Sequence, residues 1–114
     1  MKEYVFIIRF GVQATLSPEQ QKQNTENWTR VIDQWKQQGN FVGSSLTTQP
    51  GFLISNSERS LQPGFVADTN FRVTSLIRVS ATNLDEAVEL AKACPTLDFG
   101  GTVEVREVQP SPFQ

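Results

Sequence analysis

Histidine is missing altogether from these 114 residues, and cysteine occurs once. The first absence removes an imidazole base, an imidazole metal ligand and any Ser-His-Asp triad. The second removes an internal disulfide and a thiolate zinc cage, so no metal and no cofactor is expected. Long apolar runs are lacking too: none approaches the ~18 residues that span a bilayer, and no membrane association is expected. Met1-Lys2-Glu3 runs directly into a strand-like alternation, without the apolar stretch and cleavage site of a signal peptide. With a lone thiol, that reads as a cytoplasmic protein. Positive charge is not in excess: ten Lys and Arg face twelve Asp and Glu, a net charge of -2. That balance weighs against nucleic-acid binding driven by phosphate contacts.

Hydrophobic residues make up 38% and charged residues 19%, a globular balance. The length fits one domain, residues 1–108, followed by a Pro-containing extended tail, residues 109–114. Tyr4–Phe10, YVFIIRF, is rich in β-branched and aromatic residues and predicts a strand with Tyr4, Phe6, Ile8 and Phe10 on one face. Ser17-Pro18-Glu19-Gln20 predicts a helix start with a capping box, and Gly39 predicts its end. Trp28, Val31, Ile32 and Trp35 form that helix's apolar stripe, whereas residues 18–27 hold no large apolar side chain and should lie over solvent or a polar partner. A second strand is expected over Phe41–Thr48, with a type II turn at Pro50-Gly51. Phe52–Ser55 and Phe65–Ala67 read as short hairpin arms around a loop-rich stretch, and Pro63-Gly64 as a further turn. Phe71–Ser80 reads as a long strand, with Phe71, Val73, Ser75, Ile77 and Val79 facing one way and Arg72, Thr74, Leu76 and Arg78 the other. Asn83 with Glu86 opens a second helix whose inward stripe is Leu84, Ala87, Val88, Ala91 and Cys94, and Pro95 closes it. Thr102–Val108 is the last strand.

The order is that of an α+β, ferredoxin-like βαββαβ fold, with an antiparallel sheet and both helices on one face. The opposite face should then be polar, yet Val5, Ile7 and Leu76 fall on it. Burial in a homodimer, sheet facing sheet, is the expected remedy. The alternative is that the hairpin arms fold over the face within one chain.

Three stretches bring a family into view. They are Leu84-Asp85-Glu86-Ala87 through Ala91-Lys92-Ala93-Cys94-Pro95, then Gly100-Gly101-Thr102-Val103-Glu104-Val105-Arg106, and the Ser17-Pro18-Glu19 helix start with Trp28 and Trp35. The opening Lys2–Phe10 strand and the Gly39 to Gly43 region fit the same pattern. Together they make the chain resemble the YCII-related, or DGPF-domain, family. The resemblance implies a dimeric α+β barrel and, for most members, no established reaction. The His/Asp pair proposed as catalytic in some relatives has no counterpart in a chain without histidine. Where the Asp-Gly-Pro-Phe motif is expected, the sequence reads Gln62-Pro63-Gly64-Phe65-Val66-Ala67-Asp68.

The candidate site residues are Arg9, Arg72, Arg78 and Arg106, placed with Glu104 on the bare face, where guanidinium forks would bind a carboxylate or phosphate. Cross-strand ion pairs are the competing reading of those charges. Trp28 would wall an aromatic cleft or fill the core, and Asp68 is a loop carboxylate beside the motif region. Cys94 reads as a buried structural thiol, and Gly100-Gly101 as the turn into the last strand. The expected function is a dimeric protein that binds or transforms a small acidic organic molecule in a cleft between sheet and helices. The alternative is a non-catalytic interaction or regulatory module acting through its dimer surface.

Overall fold

The computed structural model describes residues 1–11, 15–64 and 70–113. The expected arm at Phe65–Ala67 and the candidate Asp68 lie outside the described residues.

Among the described residues, six strands and two helices follow one another: β1 (Lys2–Gly11), α1 (Pro18–Gln37), β2 (Phe41–Leu46), β3 (Gly51–Ser55), β4 (Ser60–Gly64), β5 (Phe71–Ala81), α2 (Leu84–Ala91) and β6 (Thr102–Glu107). A short 3-10 turn at Pro95–Phe99 joins α2 to β6. Four strands form one antiparallel sheet in the order β2-β5-β1-β6, and β3 and β4 form a separate hairpin. The chain is therefore an α+β fold.

Local chemistry sets the ends of α1. The Ser17 hydroxyl accepts the Gln20 amide at 3.1 Å, and the Gln20 side chain accepts the Ser17 amide at 2.9 Å. This is the reciprocal capping box that the sequence predicts. At the other end Gly39 adopts φ +78°, and Asn40 and Gly39 donate to the Trp35 and Lys36 carbonyls. These two bonds satisfy carbonyls that the last turn would otherwise leave open. Helix α2 is capped by Asn83, which accepts the Glu86 amide at 2.9 Å. The Glu86 carboxylate turns back one residue further than a capping box requires, to the Thr82 hydroxyl at 3.1 Å.

Both helices cover the same side of the sheet. Tyr4, Phe6 and Ile8 of β1 and Ile77 and Val79 of β5 are buried there with Trp35, Ala87, Ala91 and Cys94. Phe6 meets Trp35 edge-on at 5.8 Å, and Trp35 meets Trp28 the same way at 6.4 Å. Leu84 of the expected α2 stripe is instead exposed, and Leu90 packs inward. Asn40 extends the sheet, donating through its side chain to the Ser80 carbonyl at 2.8 Å while its own carbonyl accepts the Ser80 amide.

Three details depart from the sequence pattern. First, β5 carries one residue too many between Ile8↔Ser75 and Arg9↔Val73. Thr74 is the extra residue, and its hydroxyl donates to the Ile8 carbonyl. A bulge of this kind reverses the facing of everything beyond it. Val73 and Phe71 therefore pair on the open face, and Arg72 passes to the helix side. Second, Ser60–Gly64 is a strand despite Pro63. Proline is tolerated because β4 has a neighbour on one side only. Third, Gly51 opens β3 without the positive φ of a type II turn. Among the described residues, no helix is long and apolar enough to cross a membrane.

Candidate functional site

The five sequence candidates among the described residues, Arg9, Arg72, Arg78, Arg106 and Trp28, fall into two groups on opposite faces of the sheet. Arg9, Arg78 and Arg106 lie on the open face, where strand pairing aligns Arg78 and Arg106 with Val5 and sets Glu104 beside Ile7. These arginines are engaged by carboxylates. Arg9 donates to Glu104 at 2.6 Å, Arg106 donates to the other oxygen of Glu104 at 3.1 Å, and Arg78 donates twice to Glu3 at 3.1 and 3.0 Å. The two flanking guanidinium groups hold the Glu104 carboxyl below the usual carboxylate range. Three arginines against two glutamates leave little surplus charge for an anion. The expected five-residue charge cluster is not assembled on this face: Arg72 is absent from it, Arg9 and Arg78 form cross-strand ion pairs with Glu104 and Glu3, and Arg106 pairs with Glu104 within β6.

Arg72 and Trp28 meet on the other side. The first half of α1 stands away from the ends of β1, β2 and β5, and an open cleft of about 720 Å³ lies between them. Its apolar part is Phe10, Trp28, Ile32, Leu46 and Ile77. Arg72 and Lys36 supply positive charge, and exposed Asp33 lies on the rim. The Lys36 ammonium also sits over the Phe41 ring at 5.5 Å. Gln21, Asn24 and Thr25 of the polar half of α1 line the cleft, as do Ser44 and Ser75 of the sheet. The volume falls in the ~300–1,000 Å³ range of small-molecule sites.

The cleft has a direct cause in the sequence. Wide side chains on the second half of α1, Trp28, Ile32 and Trp35, prop the helix on the sheet. Before Trp28 the stripe carries Gln21, Asn24 and Thr25, so no large apolar side chain of α1 continues it toward the sheet. Lys36 was not among the sequence candidates, although the spacing 28, 32, 36 places it on the Trp28 stripe. Phe10 was assigned to the core face of β1, and it indeed lies on that side, but at the cleft end.

Two further residues resolve as structural. Cys94 is buried, and burial pushes its thiol up to about 12, which makes it a poor nucleophile. Gly101 packs where a Cβ would collide with the Thr96 methyl and stand 2.8 Å from the Arg9 carbonyl oxygen. Gly100-Gly101 thus turns the chain into β6, with Gly100 at φ +81°.

No family model matches this chain, and no curated protein matches it. Among solved structures, a hydantoinase/carbamoylase family amidase from Burkholderia ambifaria aligns over 97% of this chain at 12% identity and a TM-score of 0.34. The chain spans 29% of that protein.

Proposed function

We propose that this protein is a homodimeric, ferredoxin-like α+β barrel protein that holds a small acidic organic molecule in the cleft between α1 and the sheet. The observation that carries the reading is the meeting of Arg72 and Lys36 with Trp28 and Phe10 around one 720 Å³ space. The positive charge of Lys36 and Arg72 suits a carboxylate, and the aromatic walls suit an apolar body. The strand order β2-β5-β1-β6, with both helices on one side, supports the ferredoxin-like assignment. The half-buried strip of Val5, Ile7 and Leu76 on the open face supports association with a second copy. The YCII-related resemblance supports the same dimer, and the buried free thiol suits a reducing cytoplasm.

The test is a thermal-shift series with benzoate and phenylacetate against their neutral amides. The acids should raise the melting temperature by mass action and the amides should not. Replacing Arg72 by Gln should remove the difference. A melting temperature indifferent to every small acid would overturn the reading.

A second reading, a non-catalytic interaction module, is favoured by the exposed apolar hairpin β3–β4. It predicts full association behaviour in a variant whose cleft is blocked, for example Ser44→Trp.

A further inference from the structure

The sheet under the cleft breaks its own apolar pattern. Strand pairing sets Ser75 of β5 beside Ile8 and Ser44 of β2 beside Ile77, and both isoleucines are buried on the helix side. Residues opposite one another on paired strands share a face. Both serines therefore stand on the face that elsewhere carries Phe6, Ile8, Ile77 and Val79. Ser75 in turn lies beside Leu46, so the two serines are diagonal neighbours with backbones about 7–8 Å apart.

A hydroxyl on a covered face calls for a hydrogen-bond partner. Other hydroxyls around the cleft have one. Thr25 donates to the Gln21 carbonyl, Thr29 to the Thr25 carbonyl and Thr74 to the Ile8 carbonyl. Among the described residues, neither the Ser44 nor the Ser75 hydroxyl is bonded to another group. Both line the cleft, Ser44 exposed and Ser75 half-buried, so a ligand can reach them. A third unmet group comes from α1. Asn24 lines the same space, and its Oδ1 is shielded from water without a donor. Turning that oxygen toward a ligand's donor breaks no existing bond.

The chemistry of these three groups narrows what they can take. A serine hydroxyl donates and accepts, whereas the Asn24 Oδ1 only accepts. An ionised carboxylate has no hydrogen to give Asn24, so the acid end of a ligand does not meet this set. An ammonium group has no lone pair for the serines, and it would share the cleft with the positive Lys36 and Arg72. A neutral hydroxyl answers both needs. Resting on the acid-binding reading above, we infer that the cleft selects acids whose apolar body carries a hydroxyl, a hydroxylated aromatic acid, with Ser44 and Ser75 as specificity-determining residues.

The test is calorimetric titration of the full chain with benzoate, with 3- and 4-hydroxybenzoate, and with the 3- and 4-methyl acids, which add similar bulk without a hydrogen bond. At least one hydroxylated acid should bind about fivefold or more tighter than its methyl counterpart, the ratio that one added hydrogen bond gives. In the double variant Ser44→Ala, Ser75→Ala that ratio should fall to about one. Hydroxylated acids that bind no tighter than the methyl acids in the wild type would overturn the inference, whatever the variant does, and would leave the acid-binding reading standing. A ratio that survives intact in the double variant would overturn the assignment to these serines. Absence of binding by every acid would remove the inference together with the reading it rests on.

Discussion

Arg72 and Arg78 belong to one strand, β5, yet stand on opposite sides of the sheet. Arg78 meets Glu3 on the open face, and Arg72 lines the cleft beneath α1. The extra residue Thr74 between them is the cause. The bulge thus separates the two guanidinium groups: Arg78 is ion-paired on the open face, and Arg72 is among the residues that line the cleft.

Substitution of these two arginines should therefore give different results. Arg72→Gln is expected to weaken benzoate binding by about tenfold or more, the usual loss for a charge-assisted hydrogen bond. Arg78→Gln should leave it unchanged within a factor of two or so, because its exposed pair with Glu3 contributes little. Isothermal titration of both variants checks this. Equal losses in the two would refute the division.

Gly101→Ala should destabilise the fold by about 1–3 kcal/mol, the ordinary cost of overpacking. The Thr96 methyl and the Arg9 carbonyl both stand in the way of a Cβ. Adding Thr96→Ser removes the methyl but not the backbone oxygen, so it should restore only part of the loss. Urea midpoints of the single and double variants measure it.

Trp35→Ala should cost about 3–5 kcal/mol. Trp35 is 2% exposed and carries the contact between Phe6 and Trp28. Against a typical total of about 5–15 kcal/mol, such a loss leaves a marginal protein. Trp28→Ala, at a half-buried position, should cost less and should weaken acid binding instead. Thermal unfolding of the two variants, paired with titration of benzoate, separates the roles.

Glu104 gives stability a pH dependence of known sign. Its folded carboxyl is held below the ordinary value by Arg9 and Arg106. Its contribution is therefore complete above the unfolded carboxylate pKa and is lost as pH falls through the folded one. Glu104→Gln should flatten the acid side of the stability profile while leaving the slope above pH 6 or so unchanged. Urea midpoints from neutral pH downward test it, and a profile identical to wild type would sink the assignment.

Cys94 should resist a thiol-reactive disulfide reagent in the folded protein and react fully once the chain is unfolded. Burial both blocks access and keeps the sulfur protonated. Rapid reaction of the native protein would show that the α2 end opens.

Much of this molecule is local and hence readable along the chain. The Ser17–Gln20 box and Gly39 bound α1 because capping involves groups within a few residues. Tyr4, Phe6 and Ile8 declare the buried side of β1 by simple alternation. Strand β4 was not readable, because Pro63 argues against a strand unless the absence of an outer neighbour is known. Lys36 shares its helical stripe with Trp28, but that stripe reads as core until the gap under the polar half of α1 is seen.

The sequence by itself determined the helix limits, the apolar layer beneath them and an α+β order of elements, since each rests on periodicity or on contacts a few residues apart. Only the tertiary structure decided which way Arg72 points and that a cleft opens beside it. Facing along β5 is counted from its pairing with β1, and the residue that shifts that count, Thr74, has no partner in the register to announce it.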